Sequence, residues 1–286
     1  ITMPFPSNIY SETFSYTNAD LSAGSFTNKN GGHRWTGAWD LATAGSGHGW
    51  QVQTNGVTGR PTFLVTQSNY PTVVGNRAVL QAEGTGFNRA RRAIATTNSG
   101  SIFVGAIVAY QYDGAEGANK YMTIGLMSNG HTEVEFGKVY GRSNIFDIRR
   151  NDANGGVSGY QMHGWGEAGR STNDWYWMVI KYDFSVGGGT AYAKCFYQGQ
   201  GIPYNEPGAG EWDAVWSGMG IGSLDAIELK GGSDSGWLGG AIWDEVRVSS
   251  IWPELIGQPG LIPSPTLVQF GDVESTLSSN LTVWIA

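Results

Sequence analysis

An all-β sandwich of two antiparallel sheets is the fold class that this sequence predicts. Three observations predict it: apolar residues come in short alternating or continuous runs, turn residues break those runs, and helical spacing is almost absent. The 286 residues also include 44 dispersed glycines, about twice the usual share. Many short strands joined by tight turns are typical of double-sheet sandwiches and jelly rolls.

Eleven segments have the length and pattern of strands. In chain order they are residues 10–16, 62–68, 77–83, 101–112, 121–128, 133–140, 145–151, 175–184, 190–198, 226–232 and 240–249. The loops between them carry turn chemistry, as in "NDANGG" (151–156), "SVGGG" (185–189) and "GGSDSG" (231–236). We expect these segments to fill two stacked sheets, with no helix of any length.

The character of the chain changes near residue 257. Four of the ten prolines fall between residues 253 and 265, which is typical of a linker. Beyond them a strand pattern starts again and stops, and two strands alone cannot bury a face. The sequence therefore predicts a main domain over residues 1–257, a Pro-rich linker over 258–265 and a C-terminal extension of one or two strands over 266–286.

Charge and composition exclude several classes of partner. The net charge of -7 argues against nucleic acid, which requires a basic face. In the one basic cluster, "NRARRAIA", strand alternation puts Arg89 and Arg91 on one side and Arg92 on the other; we interpret it as a solvated strand face, with an anion or protein contact as the alternative. No apolar run reaches the ~20 residues of a membrane span. Cys195 is the only cysteine, so no intramolecular disulfide forms.

The segment "AIWDEVRVSS" (241–250) carries two acids inside a strand pattern. Strict alternation predicts that one side of this strand holds Ile242, Asp244, Val246 and Val248, and that the other holds Trp243, Glu245 and Arg247. The first side is apolar, so Asp244 would point into the interior. A buried carboxylate needs a charged partner, hydrogen bonds or a metal ion.

The motifs "YSETF", "GNRAVLQAEG", "GSIFVGAIVAY", "WYWMVIKYDF" and "IWDEVRVSSIWPELIG" occur in the order found in concanavalin A-like (LamG/pentraxin-type) jelly rolls. Residues 8–257 resemble such modules of secreted bacterial surface proteins. The tail "PSPTLVQFGDVESTLSSNLTVWIA" resembles the first strands of a choice-of-anchor or Hydin-like immunoglobulin-type domain. The resemblance implies a concanavalin A-like two-sheet jelly-roll sandwich and an extracellular or cell-surface location, with the tail either an incomplete immunoglobulin-like segment or an inter-subunit strand.

The resemblance also implies a structural metal site. In concanavalin A-like sandwiches a Ca²⁺ ion is often held by an acid on the first strand, backbone carbonyls and an acid on the last strand. Glu12 and Asp244 occupy those positions here. The resemblance therefore implies one structural Ca²⁺ that ties the first strand to the last, and no organic cofactor. The alternative is that Asp244 accepts only backbone hydrogen bonds.

Catalytic residues are weakly indicated. In "HTEVEFGKV", alternation places Glu133 and Glu135 on one strand face. Laminarinase-type enzymes carry E-x-D-x-E on one strand, and retaining hydrolysis needs two carboxyl groups about 5 Å apart. Here the third acid is replaced by Gly137. A solvated or cross-strand-paired face is therefore the favoured interpretation, with Glu133 and Glu135 as weak catalytic candidates.

Two loops combine tryptophan with a carboxylate, as sugar sites do. They are "MHGWGEAGR", with Trp165 and Glu167, and "GEWDAVW", with Trp212 and Asp213. Exposed indole rings stack on sugar faces and anchor protein contacts. The alternative is that these rings plug the ends of the sandwich, because tryptophan is highly buried on average.

The sequence as a whole favours a non-catalytic secreted bacterial protein that acts in adhesion or extracellular structural assembly. Its partner would be a glycan, another surface protein or a second copy of the chain. Self-association would use strand donation by the tail, which forms a filament if the contact does not close. The apolar tail residues for that contact are Leu267, Val268, Phe270, Leu281, Val283 and Trp284. Two alternatives stay open: a lectin-like carbohydrate-binding module, and a glycoside hydrolase or polysaccharide lyase of the laminarinase-like class.

Overall fold

A computed structural model describes most of the chain between residues 9 and 256. The described residues are 9–12, 14, 30–44, 48–53, 77–82, 86–111, 120–139, 145–152, 155–164, 175–197, 201–233 and 237–256. The predicted strand at 62–68, the linker and the tail lie outside these ranges. The boundaries of the linker and tail therefore stay predictions.

Fifteen strands and one short helix make up the described part of the chain. They are β1 (Tyr10–Glu12), β2 (Asp40–Ala44), β3 (His48–Gln53), β4 (Arg77–Ala82), β5 (Gly86–Thr97), β6 (Ser101–Gln111), β7 (Lys120–Ser128), β8 (His131–Lys138), β9 (Ile145–Asp152), β10 (Gly155–Gly164), β11 (Trp175–Asp183), β12 (Thr190–Tyr197), β13 (Ala214–Ser217), β14 (Leu224–Ser233), β15 (Trp237–Ser249) and α1 (Trp252–Leu255). Among the described residues, no helix is long and apolar enough to cross a membrane.

The strands form two sheets in which every described pair is antiparallel. The first sheet has the order β13-β12-β11-β6-β15-β4-β3, and β1 also pairs with β15. The second sheet has the order β10-β9-β8-β7-β14-β5-β2. Chain neighbours such as β5 and β6 lie in different sheets, so the chain crosses repeatedly between the two layers. This confirms the predicted all-β two-sheet sandwich.

The main core lies between the sheets and follows from side-chain alternation. Val104, Ala106 and Val108 of β6 point inward, and they meet inward side chains of the second sheet such as Ile124 and Phe136. Buried apolar side chains of this kind contribute about 1.5–3 kcal/mol each to folding. This packing fixes which side of each strand faces outward.

The outer face of the first sheet is also apolar and is covered. Trp177 on β11 and Phe103 on β6 point outward and pack beneath the segment 201–212 and α1. The indole N–H of Trp212 donates to the carbonyl of Pro207 at 3.0 Å, and that of Trp252 donates to the carbonyl of Pro203 at 3.1 Å. The first sheet is therefore buried on both faces, which leaves the second sheet as the one with a polar outer face.

One turn shows why the hairpin between β7 and β8 is tight. Asn129 and Gly130 have φ angles of 50° and 80°. Two successive positive φ angles define the type I′ turn, which Asn-Gly adopts readily and which matches the twist of the flanking strands. The turn sets the register of β8, which carries Glu133 and Glu135.

The alternation predicted for β15 is wrong beyond Asp244. The pairing register of β15 with β6 shifts just after this residue, and Glu245 has a φ of 49°. This β-bulge reverses the alternation. Val246 and Val248 therefore face the main core, whereas Ile242 faces the outer cluster of the first sheet.

Candidate functional site

The outer face of the second sheet carries two rows of polar and glycine residues. The first row crosses five neighbouring strands and consists of Arg91, Glu228, Gly125, Glu135 and Arg149. The second row lies two residues further along the same strands and consists of Arg89, Lys230, Thr123, Gly137 and Asp147. We call these ten residues the polar face.

Glu228 is the acid on the β5 side of the polar face. One of its oxygens, Oε2, accepts a hydrogen bond from Nε of Arg91 at 3.3 Å and lies 3.6 Å from Nε of Arg89. The other, Oε1, accepts from the hydroxyl of Thr132 at 2.8 Å. Glu228 is 1% exposed. A buried carboxylate of this kind requires such partners, and it holds both guanidinium groups in place.

Glu135 is the matching acid on the β9 side. Its Oε2 accepts from the hydroxyl of Thr123 at 3.0 Å and from Nζ of Lys230 at 3.1 Å. Its Oε1 lies 3.7 Å from a terminal nitrogen of Arg149. The Nζ of Lys230 also lies 5.6 Å from the ring centroid of Tyr121, a cation–π contact. Glu135 is 1% exposed, so both Glu135 and Glu228 lie beneath the exposed side chains of the polar face.

Glycine keeps the centre of the polar face shallow. Gly125 lies between the two acids, and a Cβ atom there would come within 2.9 Å of the Thr132 side chain. Gly137 has a φ of 142°, and a Cβ there would lie 2.2 Å from the carbonyl oxygen of Met122. A side chain at position 125 would therefore displace Thr132, whose hydroxyl donates to Glu228.

Donors dominate the exposed layer of the polar face. The side chains of Arg89, Arg91 and Arg149 are 27%, 24% and 22% exposed. Among the described residues, the terminal nitrogens of Arg91 and Arg149 have no hydrogen-bond acceptor, and a guanidinium offers five N–H donors. Four strand spacings separate these two arginines, about 19 Å. The arrangement can bind an extended ligand rich in oxygen acceptors.

Glu133 does not share this face with Glu135, contrary to the prediction. Val134 pairs with Leu126 and Thr132 pairs with Met127, so Glu133 is the extra residue of a β-bulge. Glu133 is half-buried, and burial raises its pKa, whereas the charges of Arg150 and His131 oppose that rise. Arg150 pairs with core-facing Val134, so Glu133 interacts with the core-facing side of the sheet.

The surroundings of Glu12 fit a guanidinium better than a metal ion. Glu12 and Arg92 are both fully buried and form an ion pair. Glu12 also accepts hydrogen bonds from the backbone N–H of Phe14 at 2.7 Å and the indole N–H of Trp39 at 3.2 Å. A Ca²⁺ ligand needs free oxygen lone pairs and no competing cation. These contacts give Glu12 a structural role.

Asp244 lies at the bulge of β15 and is 1% exposed. It accepts a hydrogen bond from the backbone N–H of Glu245 at 2.9 Å. Within the described part of the chain, no three His, Cys, Asp or Glu side chains come together as a metal-binding group. The Ca²⁺ site remains a prediction of the resemblance.

Trp212 is buried in the outer cluster of the first sheet, and Asp213 pairs with residues of β12, so neither lies on an exposed rim. Trp212 is 8% exposed, and its ring lies 5.5 Å from that of Tyr192 and 6.1 Å from that of Trp252. Asp213 binds Nζ of Lys194 at 2.8 Å and accepts from the backbone N–H of Cys195 at 2.9 Å. Trp212 therefore presents no open ring face for a sugar to stack on.

The other predicted site residues lie outside the described residues. They are Trp165 and Glu167, and the tail residues Leu267, Val268, Phe270, Leu281, Val283 and Trp284. Sugar stacking by Trp165 and strand donation by the tail therefore stay predictions.

Sequence reasoning missed six of the ten residues of the polar face. Glu228 and Lys230 alternate with apolar residues in the predicted strand 226–232, and that pattern signals two charges on an outer face. Their meeting with Glu135 across β7 could not be predicted, because 93 or more residues separate them along the chain (228 − 135 = 93).

No protein-family model and no curated protein matches this chain. Among solved structures, the botulinum neurotoxin serotype D binding domain has a TM-score of 0.48 at 12% identity, over 88% of this chain and 50% of that one. The CBM2 module of the evolved Dit of Lactobacillus casei BL23 phage J-1 has a TM-score of 0.43 at 12% identity, over 85% and 97% of the two chains. The T. cruzi calreticulin globular domain has a TM-score of 0.42 at 12% identity, over 77% and 86%. The two stacked antiparallel sheets and the core between them make the chain a two-sheet jelly-roll sandwich.

Proposed function

We propose that the chain is a glycan-binding module that works outside a bacterial cell or at its surface, and that the polar face is its binding site. The observation that carries this proposal is the distribution of charge on that face. Carboxylates are buried at 1% exposure, and partly exposed guanidinium groups are fixed around them. Side chains already held in place lose less entropy when a ligand binds.

The chemistry of the face favours a glycan over a protein or nucleic acid. The cores of protein interfaces are enriched in aromatic residues and depleted in charge, whereas the polar face consists of charged, hydroxyl and glycine residues. Nucleic acid would have to approach a chain of net charge -7. Sugar hydroxyls and carboxylates are acceptors for guanidinium N–H groups, and the shallow centre at Gly125 leaves room for sugar rings.

Glycan binding is tested by arrays and affinity electrophoresis with the intact chain. Arg91→Gln and Arg149→Gln keep the length of each side chain and remove its charge. We expect each to weaken binding about 10- to 100-fold, because a hydrogen bond to a charged group contributes about 1.5–3 kcal/mol. Lys194→Gln, on the other sheet, is the control and should bind like the wild type.

Two outcomes would contradict the proposal in different ways. If the folded wild type binds no glycan on a broad array, the function is wrong. If it binds and both arginine variants bind equally well, the polar face is not the site.

A further inference from the structure

A cavity lies at the end of the sandwich that carries the turn between β5 and β6. Its volume is about 320 Å³. Its lining includes Tyr10, Arg34, Ile94, Ser101, Ile102, Val248 and Ser249. We call it the end pocket. None of these residues belongs to the polar face, so the end pocket is a separate candidate site.

The floor of the end pocket is apolar and is part of the main core. Ile94 and Ile102 are each 5% exposed and Val248 is 1% exposed, and all three belong to the main core. They come from β5, β6 and β15, so both sheets contribute to the floor. An apolar floor of this size suits the C–H face of one sugar ring, since small-ligand sites are mostly apolar with a few placed polar groups.

Two serines in the walls of the end pocket, Ser101 and Ser249, present hydrogen-bond acceptors. The hydroxyl of Ser101 donates to Oδ2 of Asp183 at 3.0 Å, and the hydroxyl of Ser249 donates to Oε2 of Glu254 at 2.8 Å. Each hydroxyl proton is therefore directed away from a ligand. A hydroxyl has one proton and two lone pairs. Oγ of Ser249 also accepts a hydrogen bond from the backbone N–H of Ile251 at 3.1 Å, which leaves it one lone pair. That lone pair and those of Ser101 Oγ are the acceptors that the pocket offers.

Tyr10 and Arg34 supply hydrogen-bond donors to the pocket. The hydroxyl of Tyr10 accepts a hydrogen bond from the backbone N–H of Ala95 at 3.0 Å, which leaves its own proton free to donate. Arg34 is exposed and is held at a φ of 65°. A non-glycine residue at such an angle is strained, and strained residues concentrate at ligand sites. Among the described residues that line the pocket there is no Asp or Glu, and Arg34 carries their one formal charge.

We propose that the end pocket binds a single pyranose ring that carries a carboxylate, such as the terminal uronic acid of a glycan. The carboxylate pairs with Arg34 in a charge-assisted hydrogen bond. The ring hydroxyls donate to Ser101 and Ser249 and accept from Tyr10, while the C–H face rests on the isoleucine floor. The donor and acceptor walls together require a ligand with hydroxyls as well as an anion.

The test uses two ligands that differ in one group. Methyl glucuronide has a carboxylate at carbon six, and methyl glucoside has a hydroxymethyl group there. Each is titrated into the full chain and followed by NMR of the methyl groups of Ile94, Ile102 and Val248. We expect shifts at these methyls and at least tenfold tighter binding of the glucuronide.

Variants separate the end pocket from the polar face. Arg34→Gln should remove the preference for the glucuronide, and Arg34→Lys should restore part of it. Arg91→Gln should leave this binding unchanged, even if it abolishes binding on the glycan array. Arg34 is exposed, so a thermal unfolding curve that matches the wild type shows that its variants fold.

Three results would overturn the proposal. The first is the absence of shifts at the three methyl groups with either glycoside. The second is equal affinity for both glycosides. The third is sodium sulfate producing the same shifts at the same concentrations as the glucuronide, which would make the end pocket a general anion site.

Discussion

At the scale of single residues, Asp183 shows how one turn is built from hydrogen bonds to a carboxylate. It accepts from the backbone N–H of Ser185 at 2.9 Å and from the hydroxyls of Ser185 and Ser101 at 2.6 and 3.0 Å. Burial alone would raise the pKa of Asp183, but these hydrogen bonds and the nearby charge of Lys181 outweigh it and lower the pKa to about 2. The charged form therefore stabilises the folded state.

The lowered pKa of Asp183 predicts how the stability of an Asp183→Asn variant differs from that of the wild type as pH changes. The folded pKa lies below the ordinary value, so the stabilisation is present above about pH 4 and is lost as pH falls toward 2. We expect the variant to have a free energy of unfolding about 1 kcal/mol lower than the wild type at pH 7, after allowing for solvent screening. Urea unfolding at pH 7 and pH 2.5 measures the difference. An equal loss at both pH values would show that the charge is not responsible.

At the scale of strands, apolar patterning located the core strands well. The predicted segment 175–184 is β11 (Trp175–Asp183), and 101–112 is β6 (Ser101–Gln111). In contrast, β10 (Gly155–Gly164) was interpreted as turn and loop, because four glycines interrupt its pattern. A strand without alternating apolar residues obtains its stability from neighbours, and one sequence does not show those neighbours.

Side-chain direction was predictable only where no bulge intervenes. Arg89 and Arg91 face outward and Arg92 faces the interior, as alternation predicts. Beyond the bulges at Glu133 and Glu245, strict alternation assigns side chains to the wrong face of the sheet. A bulge depends on the register of the partner strand, so its position could not be read from the sequence of β8 or β15 alone.

The packing of β6 against β11 makes a prediction about Gly105. A Cβ atom at this position would lie 2.4 Å from the ring of Trp177, which is fully buried in the outer cluster of the first sheet. We expect Gly105→Ala to lower the free energy of unfolding by about 1–3 kcal/mol, because the ring must move within a packed layer. Gly201→Ala is the control, since no atom of the described residues lies within 4 Å of a Cβ there. Thermal unfolding that is the same for both variants would contradict this account.

At the scale of the whole molecule, one buried ion pair joins the two sheets. Glu12 lies on β1 of the first sheet and Arg92 on β5 of the second. The guanidinium carbon of Arg92 lies 4.7 Å from the ring centroid of Trp35 and 5.3 Å from that of Trp39, and its Nε donates to the carbonyl of Gly37 at 3.1 Å. These contacts satisfy the arginine on several sides, which a charge in the interior requires.

Removing one partner of this pair should destabilise the sandwich more than removing both. Arg92→Met leaves the Glu12 carboxylate buried without its cation, and we expect the free energy of unfolding to fall by about 3–5 kcal/mol. The double variant Arg92→Met with Glu12→Gln should recover part of that loss, because no charge remains buried. Chemical denaturation of the wild type, both single variants and the double variant measures the coupling.

With the guanidinium as the counter-charge of Glu12, EGTA should leave the melting temperature unchanged. A fall that Ca²⁺ reverses would instead support the metal ion that the sequence resemblance implies.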